Sequence, residues 1–275
     1  MKKINILFYV SFCSILFINC KSGLVTMTNG CYKSIQAGNA SNASGDYNTA
    51  LNQFNDVLSK CDAYDAKEQG NAGKAEALNG LKQYNDALTA ANEGLKANKT
   101  SVPNLFQKAS AELGLKMNTE AKADFAQIID LTQKNQNTKD RATIYAKIAE
   151  IDLKQKLYSD AMNNVEAAIS ADNTNADFYI LKGDIYTAQR NYADAMNMYD
   201  QAITSGGNSS KAWAAKVEAE TKMFQQKYSA QGNAAELSGK MSAADKNTLC
   251  SDISKARSYG VKKQTIDLLQ LSVCK

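Results

Sequence analysis

Six cysteines and the run Gln69-Gly70-Asn71-Ala72-Gly73-Lys74 have the clearest capacity for chemistry in this chain. A glycine-rich loop ending in Lys can cradle phosphate through its backbone N–H groups, but that task needs G-x4-G-K-[ST]. Here the spacing differs and Ala75 follows the lysine, so no nucleotide is expected. Gly206-Gly207-Asn208-Ser209 reads as a connecting loop rather than an anion nest. No two cysteines form a C-x-x-C pair, which argues against a zinc ribbon or a thioredoxin-like centre. The chain has no His, so the usual general base and zinc ligand are missing and no Ser-His-Asp triad can form. G-x-S-x-G is absent as well. A non-enzymatic protein without cofactor or metal is expected. Paired carboxylates remain chemically open, but no local motif argues for them. Lysines and acids are interspersed, with only three Arg, so no basic stripe suggests nucleic acid.

The remaining cysteine chemistry depends on address. Lys2 and Lys3 precede a mostly apolar stretch, 4–18, that is short for a transmembrane helix of about 20 residues. Phe17-Ile18-Asn19-Cys20-Lys21-Ser22 resembles a bacterial lipobox, with Asn19 where a smaller residue is usual. The reading is a lipoprotein-type signal peptide over 1–19, acylation at Cys20 and a short linker over 20–30. A lipid-anchored protein of the periplasm or outer membrane follows. The alternatives are a cleaved soluble secreted protein and an uncleaved anchor. Removing Cys13 and Cys20 from the count leaves Cys31, Cys61, Cys250 and Cys274, an even number suited to an oxidising compartment. Four cysteines allow three pairings, and buried free thiols are the alternative.

The elements that position these residues repeat. Tyr158-Ser-Asp-Ala161 returns 34 residues later as Tyr192-Ala-Asp-Ala195, and Tyr47-Asn-Thr-Ala50 and Tyr84-Asn-Asp-Ala87 precede them. Such a period marks stacked copies of one supersecondary unit. The fullest copy carries Tyr179, Gly183, Tyr186, Ala195 and Tyr199. It is preceded by Tyr145, Ile148, Ala149, Ala161 and Val165, with Asp152 in place of the second Tyr. A third copy holds Leu105, Ala109, Ala121 and Phe125. Weaker copies hold Ala37, Gly38, Ala50 and Phe54, then Ala75, Leu78, Ala87 and Ala91. The marker alanines Ala50, Ala87, Ala121, Ala161 and Ala195 are spaced 37, 34, 40 and 34 residues apart. The extra residues, near Tyr64 to Lys67 and Lys134 to Lys139, are expected in inter-repeat loops.

This pattern resembles the tetratricopeptide repeat (TPR) family, with the motif W-x2-L-G-x2-Y, A-x3-F and P. The resemblance covers 31–228 and implies an all-α helical-hairpin solenoid, a right-handed superhelix of about five repeats. Trp213 opens a sixth helix A. The segment 229–242 is a connection of unassigned structure. Over 243–275, Leu249, Ile253, Ala256, Gly260, Ile266, Leu269 and Val273 predict a helical hairpin cap. Cys250, the residues to Ala256, Gly260 and Cys274 resemble the C-terminal hairpin of exported TPR lipoproteins from Bacteroidetes-type bacteria. Within the repeat frame, Cys31 opens the first hairpin and Cys61 closes it, while Cys250 and Cys274 face each other across the last. The expected disulfides are therefore Cys31–Cys61 and Cys250–Cys274.

In TPR proteins one helix-A position of the concave face commonly contacts protein ligands. It falls here at Asn39, Glu76, Ser110, Glu150, Asp184 and Glu218, an acidic stripe that would favour a basic or polar partner. The bland alternative is an ordinary solvated face. A carboxylate clamp for chaperone tails is disfavoured, since Ile35 and Gly73 occupy two of its places. The implied function is a non-enzymatic scaffold or adaptor binding other envelope proteins. A narrower alternative is an envelope or outer-membrane assembly factor, and a further one is a helical-array enzyme or solute-binding protein.

Overall fold

The computed structural model describes residues 27–134, 138–206, 209–231 and 233–274; the expected signal peptide and Cys20 lie outside them. The chain folds as five antiparallel helix pairs stacked in order. They are α1 (Asn29–Ala43) with α2 (Tyr47–Lys60), α3 (Tyr64–Gly80) with α4 (Tyr84–Ala97), and α5 (Val102–Gly114) with α6 (Asn118–Thr132). Then come α7 (Thr138–Lys154) with α8 (Tyr158–Ala171) and α9 (Ala176–Ala188) with α10 (Tyr192–Thr204). A sixth helix A, α11 (Ser209–Lys227), is followed by α12 (Ala234–Lys240), α13 (Ala243–Ser258) and α14 (Gln264–Val273).

Small residues set the spacing of this stack. All five marker alanines are fully buried. Phe54, Phe125 and Tyr199 fill the volume one turn later, each at most 1% exposed. The Tyr199 ring lies where a Cβ on Gly183 would come within 2.5 Å, so glycine there is a packing requirement. Gly70 and Gly73 belong to helix α3 and face Leu58 and Phe54, so the glycine-rich run serves helix contact. Tyr47 of the first repeat and Tyr84 of the second lie over Gly80 and Gly114 of the following repeats. The recurrent tyrosine therefore joins successive repeats as well as opening its own helix B.

Each helix A ends in one left-handed residue: Gly45, Lys82, Lys116, Lys156, Arg190 and, after α11, Ser229. The N–H two positions past the C-cap bonds back five residues, as in Gln83 to Leu78 and Met117 to Glu112, which satisfies terminal carbonyls. Ser101, Asn175, Asn191 and Ser242 cap helix N-termini with their side chains.

The extra residues between repeats correct one expectation. Helices α3 and α7 begin 23 residues before their marker alanines, where α5 and α9 begin 19 before theirs. Much of the insertion thus forms an added N-terminal helical turn, because residues 64–67 and 138–141 can continue the i→i−4 bonding of the helix they precede.

The segment 229–242 contains α12, capped by Asn233 and anchored by the fully buried Leu237. It joins α11, α13 and α14 in one core that includes Trp213, Val217, Phe224, Leu249, Ile253 and Ile266. This core covers the end of the solenoid, which has no following repeat. Cys250 and Cys274 are bonded across the last hairpin with Cα atoms 5.5 Å apart, and Cys31 and Cys61 across the first at 6.1 Å. Loops of 24 and 30 residues correspond to roughly 3.5 kcal/mol of chain-entropy stabilisation each.

Candidate protein-binding trough

Residues chiefly of the A helices, joined by a few from α6 and the capping hairpin, line a run of open clefts along the stack. Asn39 and Glu76 face the first, of about 460 Å³, together with Glu68, Pro103 and Gln107. Pro103 and Gln107 also line a second cleft, about 490 Å³, between α5 and α7. Thr143 leads from there to a third, about 500 Å³, holding Glu150 and Asp184. Ile180, Asp184 and Lys211 are shared with a fourth, about 420 Å³, which contains Glu218. Ser110 instead turns its hydroxyl back to donate to the Phe106 carbonyl at 2.8 Å. Five of the six stripe positions therefore line adjoining clefts.

The charge along this trough differs from the uniform acidic stripe that position alone suggests. Glu150 pairs with Lys147 at 3.1 Å, and Glu218 with Lys263 at 2.7 Å. Asp184 accepts a 2.8 Å hydrogen bond from the Tyr199 hydroxyl, which lies 3.0 Å from Thr187 Oγ1. Burial raises the Asp184 pKa above the usual carboxylate value, opposed by the Tyr199 bond and by Lys211 and Lys222. Burial and the Asp184 charge together hold the Tyr199 hydroxyl protonated. Lys211 pairs with Asp177 at 2.8 Å. The C-terminal part of the trough is thus charge-balanced. Glu68 and Glu76 differ, because their hydrogen-bond partners are the neutral amides of Asn98 and Asn42.

Sequence position alone does not reveal the end of the trough. Val261, Lys262 and Lys263, in the turn of the capping hairpin, fold back beside α11 and close the fourth cleft. They lie outside the 34-residue period, so no repeat register points to them. Among the described residues, no group of three or more His, Cys, Asp or Glu side chains is placed to hold a metal ion. No described helix is long and apolar enough to cross a membrane.

Helix pairing, marker residues and an open helix-A face define a TPR-type solenoid. A tetratricopeptide repeat family model matches residues 152–218, the stretch with the fullest copies of the motif. PilF of Pseudomonas aeruginosa is similar in structure, with a TM-score of 0.64 at 14% identity over 88% of this chain and 96% of that one. A TPR protein of Parabacteroides merdae gives a TM-score of 0.57 at 14% identity over 89% and 99%. YrrB, another TPR protein, gives 0.50 at 16% identity over 66% and 90%. At these identities the likeness is one of fold. No curated protein matches the chain at a significant level.

Proposed function

We propose that this protein is a non-enzymatic scaffold or adaptor that receives partner proteins along the helix-A trough. The observation that carries this reading is continuity: shared lining residues connect the four clefts from α1 to the capping hairpin. A polypeptide segment laid there would gain contacts from successive repeats. A small solute is better served by one concave pocket that buries most of its surface. YrrB has an unusual peptide-binding site, which supports a peptide-binding use of this fold here. Export and a lipid on Cys20 would hold the trough at a bacterial envelope membrane, in the periplasm or at the outer membrane, with other envelope proteins as partners.

Photo-crosslinking in the native cell tests this reading. A photoreactive residue replacing Gln107, Glu150 or Glu218 should capture a shared set of proteins. The same residue replacing Asp86 or Glu93, on helix B, should not. Equal capture from both faces, or none from the trough, rejects it. Fatty-acid labelling of wild type and Cys20→Ser tests the anchor, and label retained by the serine variant overturns it.

A further inference from the structure

The stack is not evenly packed. Helix α1 packs closely against α3, α3 against α5, α7 against α9 and α9 against α11, whereas the backbones of α5 and α7 stand further apart, although Leu105 and Ala109 share one buried cluster with Ile144, Ile148 and Ile151. This break falls at the 40-residue step between Ala121 and Ala161, the longest in the array. The cleft of about 490 Å³ opens there, with Val102, Pro103 and Phe106 of α5 presenting apolar surface to it and the buried Ile128 of α6 and Ile144 of α7 forming its floor. Phe106 is held edge-on to the buried Phe125, with ring centroids 5.9 Å apart, so that wall is positioned by the core. Asp140 and Arg141 place one charge of each sign at its rim, and Arg141 donates to the Thr132 carbonyl at 2.6 Å. Through Pro103 and Gln107 the cleft adjoins the one containing Glu68 and Glu76, whose hydrogen-bond partners are neutral amides.

We infer that this cleft is an anchor pocket for a large apolar side chain of a partner segment, with a nearby Lys or Arg of that segment facing Glu68 and Glu76. The inference rests on the scaffold reading and specifies its partner. The apolar walls supply the burial that dominates binding at a few anchor positions. The adjoining carboxylates supply electrostatic complementarity, which adds specificity and speeds association. An acidic segment would be repelled there, and a wholly polar one would leave the apolar walls in water.

The test uses the exported, disulfide-bonded protein on an array of random-sequence synthetic peptides. Binding should be enriched in peptides that combine Phe, Tyr, Leu or Met with a nearby Lys or Arg. Thr143→Trp, which places a bulky ring at the exposed mouth of the cleft, should weaken the selected peptides roughly tenfold or more. Glu68→Gln with Glu76→Gln should remove the preference for Lys and Arg while retaining the apolar one. Unfolding transitions that match wild type would show the variants to be folded; Gln107→Trp, at the neighbouring mouth, replaces Thr143→Trp if that one unfolds. Enrichment without an apolar residue, binding unchanged by the blocking ring, or no enrichment overturns the proposal. So does self-association in sedimentation that the blocking ring abolishes, which would make a second copy the occupant. Partners crosslinked at Glu150 or Glu218 alongside a failed array would leave the scaffold standing and reject only this pocket.

Discussion

The Phe54 ring lies against Gly73 of the following repeat, in the space that a Cβ on residue 73 would need. The same end of the ring also lies against Gly38, where a Cβ would stand 2.6 Å away. Phe54 has no exposed surface, so it has nowhere to withdraw. Helix propensity alone favours Ala over Gly by about 1 kcal/mol, yet overpacking a core costs about 1–3 kcal/mol. Gly73→Ala should therefore destabilise the protein by up to about 2 kcal/mol, measured by urea unfolding. A more stable variant would show that the ring can move.

Lys116 adopts the left-handed conformation with φ +64°, and it is exposed. A Cβ is strained there, whereas glycine adopts the region freely. The relief exceeds the added chain entropy that glycine brings to the unfolded state. Lys116→Gly should gain about 0.5–1 kcal/mol, and Gly45→Ala should lose about 1 kcal/mol at the equivalent turn. Paired thermal melts with opposite shifts check the argument.

These two positions show what was legible in the sequence. The marker alanines and Phe54 could be placed because their spacing repeats and their side chains set helix separation. Gly45 announces its turn, but Lys82, Lys116 and Lys156 do not, since their conformation comes from the helix end and not from residue type. Helix α12 left little trace because seven residues with one buried leucine carry no readable period. The extra turns of α3 and α7 read as loops because a change in repeat spacing does not say which element absorbs it. The charge balance of the trough was hidden for another reason. Glu218 meets Lys263, which lies outside every repeat register and reaches it only through the capping hairpin.

Two buried carboxyls give folding a distinct pH dependence. The pKa values of Glu112 and Glu220 are both pushed up to about 7, first by burial and then by Asp124 and Asp252 respectively, against the opposing charges of Lys108 and Lys216. Asp200 and Asp245 add to the field at Glu220. The ordinary value is 4.5, so between the two the folded chain keeps protons that the unfolded chain releases. Their stabilising contribution is full below about pH 4.5 and is lost as pH rises through 7. Asp46 and Asp172, with lowered pKa values, act in a separate and more acidic window. Unfolding free energy should thus fall between about pH 5 and pH 8. The double change Glu112→Gln and Glu220→Gln should flatten that slope and stabilise the protein by about 1–2 kcal/mol at the alkaline end. An unchanged slope in urea titrations of the variant would assign the pH dependence to other groups.

Asp152 occupies the motif's second Tyr position in the fourth repeat and has no exposed surface. It meets Lys122 of the third repeat at 2.5 Å and Asn164 of α8 at 2.9 Å, so three helices converge on one carboxylate. This polar joint lies at the junction where the backbones of α5 and α7 approach less closely, and there it links neighbouring repeats that share less helix-A contact than the others. A buried carboxylate deprived of its cation costs more than the intact pair contributes, because desolvation is then uncompensated. Lys122→Met should therefore destabilise by about 3 kcal/mol. Asp152→Asn combined with Lys122→Met should be milder than the sum of the two single changes, since no charge is left stranded. Hydrogen exchange should show the loss concentrated in α6 and α7, because each repeat in a solenoid leans mainly on its immediate neighbours. Additive energies in the double-mutant cycle would mean that Lys122 and Asp152 act independently, and the joint would then add no coupling between the two repeats.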